Sequence, residues 1–214
     1  MEKIISTAFV DMCGTYERML CSFYPARDST GFTEQNQVHN FVNALKTALD
    51  DENSVHWLEF PWVKKNEHID GMVFSPKYKS IFYIEAKRLS KSIQKSLVVK
   101  DIERVVSSDR SFINCNDLYA DHEYIIVLSD VWLEDKWKTA IPPHWWLGCE
   151  ELPVQFQSWE FKHKRKLAKP KSTLQKELQT RNIDWVNSNS LVYLVGEKVD
   201  KVKNYCLLLA SKKI

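Results

Sequence analysis

The 214-residue chain is poor in the residues that mark tethers and covalent staples, with 5 glycines, 7 prolines and 5 cysteines. No stretch rich in Pro, Gly or Ser divides it, so one domain with elaborations is expected over residues 1–214. The cysteines (Cys13, Cys21, Cys115, Cys149, Cys206) are odd in number, scattered and without a CxxC pair. That argues against a disulfide framework and a structural zinc site, and predicts buried free thiols in a reducing, cytoplasmic setting. Long apolar runs are also missing. The opening MEKIISTAFVDMCGTYERMLCSFYP is interrupted by Glu2, Asp11, Glu17 and Arg18, so neither secretion nor membrane insertion is expected. An excess of one charge is absent too: the net charge is +2, and the whole-molecule field says little about partners. What is present, 44% hydrophobic and 27% charged residues, is the composition of a folded core with a solvated surface.

The pattern along the chain predicts an α/β fold. An N-terminal helix is followed by a second that starts at Thr33 and carries Val38, Phe41, Leu45 and Leu49 at spacings of three and four. Three strands come next: VHWLEFPWV from Val55, HIDGMVFS from His68 and KSIFYIEAKRL from Lys79. The polar SPKYK joins the second to the third as an antiparallel hairpin. From Ser92 to Ser107 a helical stripe of Ile93, Leu97, Val98, Ile102, Val105 and Val106 is expected to pack on the sheet. HEYIIVLSD, His122 to Asp130, then reads as a central strand covered on both faces. The core, about residues 30–130, is thus helix, three strands, helix, strand, a central mixed sheet flanked by helices. Residues 131–214 form an elaboration ending in two further strands, LVYLVGEKV and NYCLLLASK.

One strand ends against the grain of its own pattern. In SIFYIEAKRL the apolar run gives way to Glu85, Ala86 and Lys87, and alternation puts Tyr83, Glu85 and Lys87 on one face. Asp70 lies near the start of the neighbouring strand. Glu34 sits at the N-terminal end of the helical stripe, either as a first-turn acid favoured by the helix dipole or as a functional group. Carboxylates on adjacent strands, with a third from a helix end, make a hard-oxygen site suited to Mg2+ or Mn2+. Such a cation polarises a phosphoryl oxygen and lowers the pKa of a bound water, and Lys87 adds a positive charge beside water or phosphate.

These residues resemble the PD-(D/E)XK nuclease superfamily, with the restriction-endonuclease-like fold. HID at Asp70 matches the aspartate of the motif and EAK at Glu85 to Lys87 its second part, with fourteen residues between the two acids. Glu34 matches the acid that many members carry on the first core helix. The resemblance implies a deoxyribonuclease in which Asp70, Glu85 and Glu34 bind metal and the Ala86 carbonyl completes the coordination. Lys87 would assist the water nucleophile. Ile69 stands where the family often has proline, and Gln94 is not followed by the tyrosine of the RecB-like branch.

Nucleic acid, DNA by this resemblance, is the expected partner, with a homodimer or a protein partner as further possibilities and no membrane. The segment Lys162 to Arg181 carries eight cationic side chains against the single acid Glu177, and reads either as a track for a phosphate backbone or as a solvated face. A second basic group, Lys87, Arg88, Lys91, Lys95, Lys100 and Arg104, follows the EAK strand. Arg88 is a phosphate contact in this reading, while His68 is a strand-edge residue or an approach to the metal. His144, Trp145 and Trp146 are either base-stacking platforms or core. Two rival functions are a nucleic-acid-binding module that has lost catalysis and an interaction protein docking through the aromatic region Trp132 to Trp159.

Overall fold

The structure is a computed structural model that describes residues 1–23, 32–62, 66–90, 93–110, 119–133, 139–148, 151–164, 166–195 and 205–214. Cys115, Cys149, Lys91 and Arg165 lie outside the described residues.

Helix α1 (Glu2–Phe23) buries Ile5, Phe9, Met12, Tyr16 and Leu20, the spacing of one helical face. Among the described residues no helix is long and apolar enough to cross a membrane. Helix α2 (Glu34–Leu49) starts where its sequence says it should: Thr33, in extended backbone, accepts a hydrogen bond from the Asn36 N–H. Its buried stripe is Val38, Phe41, Val42, Leu45 and Leu49. Strands β1 (Val55–Pro61), β2 (His68–Ser75) and β3 (Ser80–Arg88) follow as an antiparallel meander. The β2–β3 turn is pinned from behind by Asp51, whose carboxylate accepts from the Ser75 hydroxyl at 2.5 Å and from the Lys77 N–H at 3.1 Å.

Helix α3 (Ile93–Ser107) carries the chain over to β4 (His122–Trp132), which runs parallel to β3. Then come β5 (Thr139–Ala140), α4 (Pro142–Leu147), α5 (Val154–His163), β6 (Lys166–Leu167) and α6 (Leu174–Gln179). Strands β7 (Asn189–Val195) and β8 (Tyr205–Lys213) finish the chain as an antiparallel pair. The result is an α/β fold around an open, mixed six-stranded sheet, ordered β1-β2-β3-β4-β8-β7. The predicted order of elements, helix to strand β4, is present.

Alternation in β3 and β4 splits the interior into two layers. Phe82, Ile84, Ala86, Ile126 and Leu128 face α1 and α2. Tyr83, Ile125 and Val127 face α3 and the C-terminal helices. Each of the larger aliphatic and phenylalanine side chains removed from water stabilises the fold by about 1.5–3 kcal/mol.

Several expectations change here. On α3 the buried positions are Val98, Val99, Ile102 and Val105, whereas Ile93 and Leu97 are exposed, so the stripe begins one turn later than its pattern implied. Trp145 and Trp146 are core, 1% and 2% exposed, with indole N–H groups bonded to Glu177 and to the Leu209 carbonyl; they are not free to stack on bases. Cys13 and Cys206 are buried free thiols, but Cys21 is exposed.

Candidate functional site

Asp70 on β2 and Glu85 on β3 come together because the antiparallel register pairs Gly71 with Ile84, and one step further along it Asp70 stands across from Glu85. Asp70 Oδ2 accepts a hydrogen bond of 2.7 Å from the Ala86 N–H. Ala86 therefore engages the site through its N–H. Glu85 is 3% exposed, and Arg104 of α3 donates to its Oε1 at 2.5 Å. The same guanidinium reaches the His68 carbonyl at 2.7 Å, tying α3 to the start of β2. His68 thus contributes its backbone, while its side chain is exposed.

Lys87 lies at the end of β3, where α2 and α3 approach from opposite faces of the sheet. Its ammonium sits 3.4 Å from Glu34 and 3.6 Å from Asp101. Glu34 also takes the Arg88 N–H at 3.0 Å, so the first residue of α2 is fastened to the end of β3 by two bonds. Arg88 turns the other way, into a buried polar knot: its Nε is 3.3 Å from Asp130 of β4, which is fully buried and also accepts from the Tyr205 hydroxyl at 2.8 Å. A cleft of about 440 Å3 opens over this region, lined by Thr33, Glu34, Gln35, Glu59, Asp70, Arg88 and Gln94. Glu59, in the edge strand β1, holds a φ of +53°, a left-handed conformation uncommon outside glycine, Asn and Asp.

The electrostatics follow from crowding acids where water is scarce. Burial raises the Asp70 carboxyl above its usual range; the Ala86 N–H and Lys87 pull it back, and Glu34 and Glu59 push it further up. Burial and then the charge of Asp70 hold Glu85 well above the ordinary value, with Arg104 opposing. Burial raises Asp101 as well. Lys87 goes the other way from a typical buried lysine: burial depresses its pKa, but Asp101, Glu34 and Asp70 outweigh that and keep it above the ordinary value. It is an ammonium gripped by carboxylates.

Asp70, Glu85, Lys87 and Glu34 are thus brought into one neighbourhood. Asp101, Arg104 and Glu59 belong to it too, beyond the residues that the sequence pattern marks. Asp101 had a legible signal, since it stands three residues after Val98 and four before Val105 as a charge within the buried stripe. Arg104 was counted in a basic group, yet much of that group is consumed internally: Lys87, Arg88 and Arg104 are ion-paired, and Lys95 lies 5.4 Å over the Trp145 ring.

Among the described residues, no three His, Cys, Asp or Glu side chains gather closely enough to hold a metal ion. The donor chemistry nonetheless fits one. Asp70 and Glu85 are adjacent hard-oxygen donors, the charge of Asp70 raising Glu85, and each has one oxygen bonded within the protein, to Ala86 and to Arg104. Mg2+ characteristically takes one or two carboxylates and fills its remaining positions with water and phosphate oxygens.

No protein-family model matches the chain, and neither a curated protein nor a solved structure is significantly similar to it.

Proposed function

We propose that the chain is a Mg2+- or Mn2+-dependent nuclease of the PD-(D/E)XK type, with a restriction-endonuclease-like core from α2 to β4, hydrolysing phosphodiester bonds of DNA. The observation that carries this reading is the cross-strand placement of Asp70 and Glu85, with Lys87 two residues further on between Glu34 and Asp101. Asp70 and Glu85 would hold the cation, assisted by Glu34 and the Ala86 carbonyl. When bound, it would lower the pKa of a water and stabilise charge on the phosphoryl oxygens.

The protein's own contribution is placement and charge. Lys87, kept protonated by its two acids, serves as a hydrogen-bond donor and positive charge beside the phosphate, not as the base that takes the proton of water. Glu34 orients that ammonium and also anchors the end of β3 through the Arg88 N–H. In the reaction, water oxygen attacks phosphorus as its proton passes to solvent, the bond from phosphorus to the leaving oxygen breaks, and that oxygen takes a proton from solvent.

A second reading, a nucleic-acid-binding module without catalysis, is favoured by the internal pairing of the acids, above all Arg104 on Glu85. One experiment separates the two. Circular duplex and single-stranded DNA are incubated with Mg2+, Mn2+ or EDTA and wild type, Asp70→Ala or Lys87→Ala. The nuclease reading expects metal-dependent cutting by wild type and a loss of at least about 100-fold in both variants. Absence of cutting by folded wild type at saturating metal would sink it.

A further inference from the structure

The last turn of α5 presents an aromatic ring to solvent in a setting of bare cations. Phe161 is 90% exposed, although its helix is well anchored by Phe156 and Trp159, at 0% and 5%. Lys162 and Lys164 follow the ring within three residues, Lys166 lies in β6, and Lys169 and Lys171 come in the segment after it; all five are exposed. From Phe161 to Lys176 the chain contains no Asp or Glu. None of the five lysines pairs with a described carboxylate. The nearest acid in sequence, Glu160, is engaged elsewhere: its Oε1 accepts from the Leu167 N–H at 2.5 Å, which ties β6, and Lys166 with it, back to the last turn of α5.

We infer that this surface, Phe161 with Lys162, Lys164, Lys166, Lys169 and Lys171, binds an unpaired nucleic-acid strand, the ring stacking on a base while the lysines neutralise the backbone. The ring selects the unpaired strand. A base inside a duplex has both faces covered, whereas a single strand offers a face for every residue, and stacking with a tracking set of cations is how such strands are held without sequence reading. A lipid surface fits less well. The apolar element is one ring with Val154 seven residues before it, on a helix of ten residues, and the lysines continue past the helix through a turn and a short strand. An interfacial helix needs a broad apolar face along its own length.

The inference deepens the nuclease reading by naming an unpaired strand as the ligand, but its test is binding, not cleavage. Fluorescein-labelled oligothymidylate of fifteen residues, a duplex of equal length and phosphatidylserine vesicles are titrated in EDTA with the full chain. The expected result is tighter binding to the single strand than to the duplex, with a log K against log salt slope of about −3 to −4 for five phosphates. Phe161→Ala, which removes no buried contact, should weaken single-strand binding about 5- to 100-fold. Lys164→Glu with Lys166→Glu should flatten the slope by about 1.4 or more. Equal affinity for duplex, an unchanged Phe161→Ala, preference for the vesicles, or no binding to the oligonucleotide at low salt would each overturn the inference. Because metal is absent, binding persists here even if the cleavage assay fails, and the reverse outcome would leave the nuclease reading standing on its own.

Discussion

Asp70 carries an electrostatic cost in the folded protein. The carboxyl is half-buried, held above its ordinary range by burial, and further pushed up by Glu34 and Glu59. A carboxyl whose folded pKa is raised favours the folded state while protonated, and that contribution is lost as pH rises from the unfolded value near 4 through the raised folded value. Asp70→Asn keeps an oxygen for the Ala86 N–H and removes the charge. In EDTA, urea unfolding should therefore find the variant more stable than wild type at pH 7, with the advantage gone below pH 4. A variant less stable at pH 7 would show that the charge of Asp70 is already compensated. Asp70, Glu85 and Lys87 were legible because charges on a strand that is otherwise apolar break a period-two pattern. Arg104 was not, because an arginine on a helix looks the same whether it points to water or to a buried glutamate. Only the crossing of α3 over β3 distinguishes the two.

At the scale of elements, the site depends on how closely α2 lies on β2. A Cβ added at Gly71 would stand 2.8 Å from the Val38 Cγ1 of α2, with Ile84 and Leu58 also in contact at 3.7 Å. Gly71→Ala therefore forces α2 away from the sheet, costing about 1–3 kcal/mol of stability. It also draws Glu34 from Lys87, since both are held across that same interface. Chemical denaturation gives the first effect, and cleavage activity with unaltered secondary structure by circular dichroism reports the second. Wild-type stability in Gly71→Ala would mean that the contact relaxes freely. The helix itself was readable from Thr33 and the apolar spacing, and so was the hairpin from SPKYK. On α3 the apolar pattern marks Val98, Ile102 and Val105 correctly but starts a turn too early, because Ile93 and Leu97 suit a helical period and yet stay exposed.

For the whole molecule, the C-terminal segment is part of the sheet and not a decoration on it. Strand β8 pairs with β4 along nine positions, Tyr124 with Lys213 through Trp132 with Tyr205, and β7 covers its other edge. The Tyr205 hydroxyl also reaches Asp130, so β8 completes the knot that anchors Arg88 beside the cleft. A chain ending at residue 188 retains α1 to β4 yet bares the long, apolar edge of β4, which is a template for pairing with other chains. It should be recovered as aggregates by size-exclusion chromatography; a soluble monomer would show that the first four strands suffice. By itself, the sequence determined the local periods: the capped helix α2, the three-strand meander, the buried strand β4 and the charged end of β3, all set by side-chain alternation over a few residues. Tertiary structure alone decided that β8 lies next to β4, that the tryptophan pair of α4 goes inside, and that Asp101 and Arg104 close on Lys87 and Glu85. Those contacts join residues far apart in the chain, and a pattern of period two or 3.6 carries no information about which distant element supplies the partner.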